Sequence, residues 1–69
     1  METKLDDQFN SLQGILNFAI NKEQEAIDFY TNIADKVKSK SLVEELQKIA
    51  AMETGHRDRL KKLDPANII

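Results

Sequence analysis

No cysteine occurs in the 69-residue sequence, which excludes a disulfide framework, a thiolate metal site or an iron–sulfur centre held by the chain's own residues. There is no tryptophan, one proline and two glycines, so signals for turns, bulges and bends are sparse. Apolar runs of membrane-spanning length are absent, and Met1–Phe9 lacks the hydrophobic stretch of a signal peptide. The expected location is therefore cytoplasmic, without a membrane. An excess of charge of one sign is lacking as well: 10 basic and 12 acidic residues are interspersed, with a net charge near −2. That pattern excludes the basic stripe a nucleic-acid-binding surface needs.

What remains is 41% hydrophobic and 32% charged, too apolar for a disordered chain and too short to stabilise a core alone. Without disulfides, oligomerisation becomes the expected source of the missing stability.

The apolar residues have helical spacing. Phe9, Leu12, Leu16, Ala19, Ala26, Ile33 and Val37 form one series, and Glu23 and Tyr30 fill its gaps in steps of three and four. Ile20, Ile27 and Ala34 widen the stripe. A second series runs Leu42, Leu46, Ile49, Glu53, His56, Leu60, Leu63. Ser41 with Glu44 reads as a capping box at its start, and Pro65 ends it by disfavouring helical geometry at Asp64. Asp7 or Asn10 is the expected cap of the first helix. The chain thus reads as one all-α domain spanning residues 1–69, with helix 1 over about 8–38, helix 2 over about 41–63 and a short tail over 64–69. The brief connection makes the helices antiparallel.

Three residues break the apolar seams: Glu23 in the first series, Glu53 and His56 in the second. A buried carboxylate without a partner is costly, so polar residues on inward faces call for a partner or a metal. Counted from the turn, all three fall within about one helical turn of one level, roughly 20–25 Å away. Glu53 and His56 at i, i+3 project from one face of their helix. A carboxylate-bridged di-metal site in a helix bundle takes a Glu from each of two helices and a Glu-x-x-His from each of two others. One hairpin supplies half of that set, so a two-fold homodimer forming a four-helix bundle is expected. These ligands suit iron or manganese, and zinc can also be held. The contrasting reading is a non-catalytic dimerisation module whose polar seam residues fix register.

Glu23 through Tyr30, followed by Glu53-Thr54-Gly55-His56, resembles the ferritin-like proteins of the rubrerythrin group over roughly residues 15–63. The pattern is most similar to the encapsulated ferritins, whose subunits are two-helix hairpins sharing a split ferroxidase site. The resemblance implies iron ligation by Glu23, Glu53 and His56, with Glu53 bridging, and a supporting role for Tyr30 in catalysis. It matches Glu25 to a carboxylate on the route by which iron enters, although Glu25 lies off the seam and by position alone reads as a solvated residue. It further implies ferroxidase activity linked to iron storage or detoxification, an encapsulin-type shell as partner and residence inside a protein nanocompartment. Rubrerythrin-like peroxide reduction with an external electron donor is the alternative within the same group. On position alone, Met52 reads as packing, Gly55 as incidental or a site of close helix approach, and Arg57–Lys62 as a solvated, charge-rich face.

Overall fold

The computed structural model describes residues 11–64 as two α-helices, α1 (Leu12–Ala34) and α2 (Lys40–Lys61), joined by residues 35–39. They pack against each other as a hairpin, and no strand occurs among the described residues.

Local chemistry explains each boundary. Ser11 is in extended conformation, and its hydroxyl accepts a hydrogen bond from the Gly14 amide at 3.0 Å, so Ser11 caps α1. The expected caps Asp7 and Asn10, like Phe9, lie outside the described residues. At the other end α1 stops sooner than its periodicity suggests. The Ile33 carbonyl accepts from both Lys36 and Val37, at 2.9 and 3.1 Å, and the chain then leaves the helix. Val37 continues the apolar series without continuing the helix.

The start of α2 corrects the capping-box reading. Ser39 is the cap, its hydroxyl accepting from the Leu42 amide at 3.3 Å, and Ser41 is already helical. The two serine hydroxyls lie 3.3 Å apart. Arg59 and Lys61 in the last turn of α2 complement its partial negative charge. The helix ends at Lys61, so Leu63 and Asp64 fall beyond it, and Pro65 lies outside the described residues.

The two helices lie side by side in a single layer about one helix diameter thick, about 10–12 Å. Leu16 and Leu46, each 8% exposed, are the buried hydrophobic residues among those described. One layer of two helices encloses little else.

Taking Leu16 and Leu46 as the line of contact, with about 100° of rotation per residue, divides the hairpin into two unlike faces. In an antiparallel pair, residues rotated in the same sense from the contact line share a face. Ile15 and Phe29 on α1, and Leu42, Met52 and, just past its end, Leu63 on the α2 side, fall on one of them. These five are the exposed large hydrophobic residues among those described. The opposite face is polar and internally bonded: Gln13 to Asn17 at 2.8 Å, Gln24 to Asp28 at 3.0 Å, Arg57 to Gln24 at 2.7 Å, and the Thr54 hydroxyl to the Ala50 carbonyl at 2.9 Å. Met52, read from its position as packing, is 61% exposed on the apolar face. A Cβ built at Gly55 would meet nothing within 4 Å, so Gly55 permits no close helix approach within the hairpin.

Candidate metal centre

Glu23 occupies the middle of α1, a turn beyond Ala19, and projects beside the Leu16 contact line. From α2, Glu53 follows Leu46 by two turns, and His56 follows Glu53 by three residues. Antiparallel packing then brings one ligand atom from each to within 4.8 Å of the others. His56 Nδ1 lies 3.1 Å from Glu53 Oε1 and 3.6 Å from Glu23 Oε2. The first is a hydrogen bond, in which Nδ1 donates when it carries the proton; the second is too long to be one. Glu23 Oε2 is consequently buried without a hydrogen-bond partner.

The three side chains are screened but not sealed: Glu23 is 24%, Glu53 23% and His56 41% exposed. All three lie on the apolar face of the hairpin, at the level where α1 and α2 lie side by side. Glu23 and His56 also line an open trough of about 380 Å³ whose other walls are Arg59, Leu60 and Leu63. The site therefore opens toward the uncovered face and away from the polar one.

This donor set fits a divalent first-row transition metal such as iron. Two carboxylates and an imidazole converge, His56 turns Nδ1 toward both carboxylates, and the orphaned Glu23 oxygen lacks what a bound cation would give it. Among the described residues these three donors suffice for one metal whose other positions are taken by water, and they are half of the set that a di-metal bundle centre uses.

Other residues singled out in the sequence lie elsewhere. Tyr30 is half-buried seven residues beyond Glu23, about 10 Å along α1. Its ring packs edge-to-face on Phe29, centroids 5.3 Å apart. Glu25 is exposed and pairs with Lys22 at 3.7 Å, as its off-seam position implies. Arg57 departs from its sequence reading as part of a solvated face: its side chain is 22% exposed and reaches across to Gln24. The pattern did carry a signal for this contact. Arg57 follows Leu46 by eleven residues, three helical turns, and Gln24 sits between Ile20 and Ile27 in the widened stripe of α1.

An all-helical hairpin bearing a Glu and a Glu-x-x-His at one level has the make-up of half a ferritin-like di-metal bundle. The rubrerythrin family model matches residues 10–64, and the chain belongs to the rubrerythrin family, a group of di-iron, ferritin-like oxidoreductases. No curated protein and no solved structure matches the chain. No described helix is long and apolar enough to cross a membrane.

Proposed function

We propose that two copies of this chain join through their apolar faces into a four-helix bundle and complete an iron site at which Fe(II) is oxidised. The observation that carries this reading is the position of Glu23, Glu53 and His56, an incomplete donor set opening onto the one apolar face that the hairpin leaves uncovered. A partner copy covers Ile15, Phe29, Met52 and Leu63 and brings a second Glu23, Glu53 and His56. Family membership supports di-iron chemistry in general; the ferroxidase reading is the more specific step.

Iron held by these residues supplies one-electron redox chemistry, and each Fe(II) oxidised gives one electron to the oxidant. Four Fe(II) and four protons reduce dioxygen to two waters; two Fe(II) and two protons reduce hydrogen peroxide likewise. The protein's own part is electrostatic and positional. Carboxylates from Glu23 and Glu53 would hold the iron and favour the higher charge of Fe(III) over Fe(II), making loss of an electron more favourable. His56 adds an imidazole donor, and Leu60 and Leu63 give the trough beside it an apolar wall. We further propose iron storage or detoxification as the role, with Tyr30 as a neighbouring support, iron ahead of manganese or zinc, and a surrounding shell to hold any mineral. A cytoplasmic setting, inside such a shell, accompanies that reading.

The test is anaerobic loading with two Fe(II) per pair of chains, then exposure to dioxygen or peroxide, followed by the near-ultraviolet absorption of protein-bound Fe(III). Faster oxidation by dioxygen with release of Fe(III) supports the ferroxidase. A strong preference for peroxide, with iron retained and re-reduced by an added donor, would assign the chain to peroxide reduction instead. Oxidation no faster than in a Glu53→Ala control would remove both and leave a dimerisation module.

A further inference from the structure

The polar face holds a bond at the same level as the metal donors. Gln24 follows Glu23 and Arg57 follows His56, and the rotation of about 100° between neighbours sends each pair's second member to the opposite face. There Arg57 Nη1 donates to Gln24 Oε1 at 2.7 Å, joining α1 to α2. Both side chains are held from behind. Gln24 Nε2 donates to Asp28 Oδ1 at 3.0 Å, which turns its carbonyl oxygen toward Arg57. Arg57 Nε and Nη2 both donate to Asp58 Oδ1, at 3.1 and 3.0 Å, leaving Nη1 for the crossing bond.

We propose that this Asp28–Gln24–Arg57–Asp58 chain is a positioning device that sets the separation of α1 and α2 at the level of the metal donors; it rests on the metal-site reading above. The turn at residues 35–39 cannot do this unaided. It lies about 24 Å from the site, so a splay of about 5° there displaces one donor helix by about 2 Å. A productive metal site needs its ligands held within about 0.5 Å. The apolar contacts around Leu16 and Leu46 resist separation but are non-directional, whereas the crossing Nη1–Oε1 bond, held at its two ends by Asp58 and Asp28, has a preferred length and direction. Gln24 and Arg57 touch no metal; they act through Glu23 and His56.

The test uses the full chain with Gln24→Leu, Arg57→Met and Arg57→Lys, and Gln13→Leu as a control that breaks a polar bond within α1 alone. Co(II) titration reads affinity and the visible spectrum, which reports coordination geometry. Gln24→Leu and Arg57→Met should each weaken Co(II) binding roughly tenfold and alter the spectrum, and the double variant should lose no more than either single one. Arg57→Lys keeps the charge without the planar fork, so it should fold and still show the altered spectrum. A metal-free arm places nitroxides at Asn21→Cys and Gly55→Cys, in a chain with no other cysteine, diluted with unlabelled protein. Arg57→Met, or Arg57→Lys if the former does not fold, should broaden the label-to-label distance distribution by about 2 Å, the displacement expected from a small splay. Unchanged distances, or an affinity loss matched by Gln13→Leu, overturn the proposal. Absence of Co(II) binding by the unsubstituted chain would sink the metal reading instead, while the distances still decide the positioning role.

Discussion

Replacing Glu23 by Ala should raise the stability of the metal-free protein and abolish its stabilisation by metal, so that the order of the two proteins reverses on adding metal. The first half follows from Oε2, which is buried without a hydrogen-bond partner and has His56 Nδ1 no nearer than 3.6 Å. An unsatisfied buried acceptor costs about 1–3 kcal/mol, and since Glu23 is 24% exposed the lower part of that range applies, about 1.5 kcal/mol. Ala adds a few tenths through helix propensity, and loss of one partly buried methylene removes about 0.8 kcal/mol. The net is about 1 kcal/mol in favour of Ala, or about 4–8 °C in melting temperature for a chain of this size. For the second half, metal at a hundredfold excess over its dissociation constant stabilises the unsubstituted protein by about 2.7 kcal/mol per site, whereas the variant gains none. Thermal melts followed by far-ultraviolet circular dichroism, at one fixed chain concentration and with and without anaerobic Co(II), measure both terms. A variant less stable than its parent without metal, or equally stabilised by metal, would refute the reasoning: the first outcome means Glu23 is satisfied, the second that it is no ligand.

Met52→Lys should abolish self-association, because it sets a charge in the middle of the apolar face; sedimentation of an unchanged assembly would show that another surface joins the copies. Glu53→Ala and His56→Ala should each lose tight iron binding as measured by metal content after desalting, while Glu25→Ala, in an exposed pair with Lys22, should keep the full complement. Ser39→Ala should cost about 1 kcal/mol in chemical denaturation and Ser41→Ala a few tenths; the reverse ranking would restore the capping box read from sequence.

The hairpin and the convergence of Glu23, Glu53 and His56 were legible in the sequence because both depend on short-range regularity. Steps of three and four assign Leu16 and Leu46 to facing stripes, and counting rise per residue from the turn puts Glu23 level with Glu53 and His56. The ends of the helices were less legible, since they depend on which of several competing groups takes the terminal backbone bonds. Ser39 and Ser41 are chemically equal candidates two residues apart, and Ser39 wins by being the one in extended conformation. Val37 fits the apolar period, yet the doubly bonded Ile33 carbonyl closes α1 before it. The Gln24–Arg57 bond was missed for a different reason: spacing placed both residues near the contact line, but a long cationic side chain near a helix end reads as solvated unless the opposing helix is known to offer an oriented acceptor.

Among the described residues each chain brings three clustered donors, on the face it leaves uncovered, and under the proposed pairing of two copies that division has a genetic consequence. When a site is half-built by each of two identical chains, the unit of inheritance and the unit of chemistry differ. A chain that keeps Met52 and its neighbours but loses His56 would still pair with normal chains. Mixed in equal amounts at random, only about a quarter of the pairs would then hold two sound halves. A fault in the donors would behave as dominant, whereas a fault in the apolar face, which withdraws the chain from pairing altogether, would be recessive.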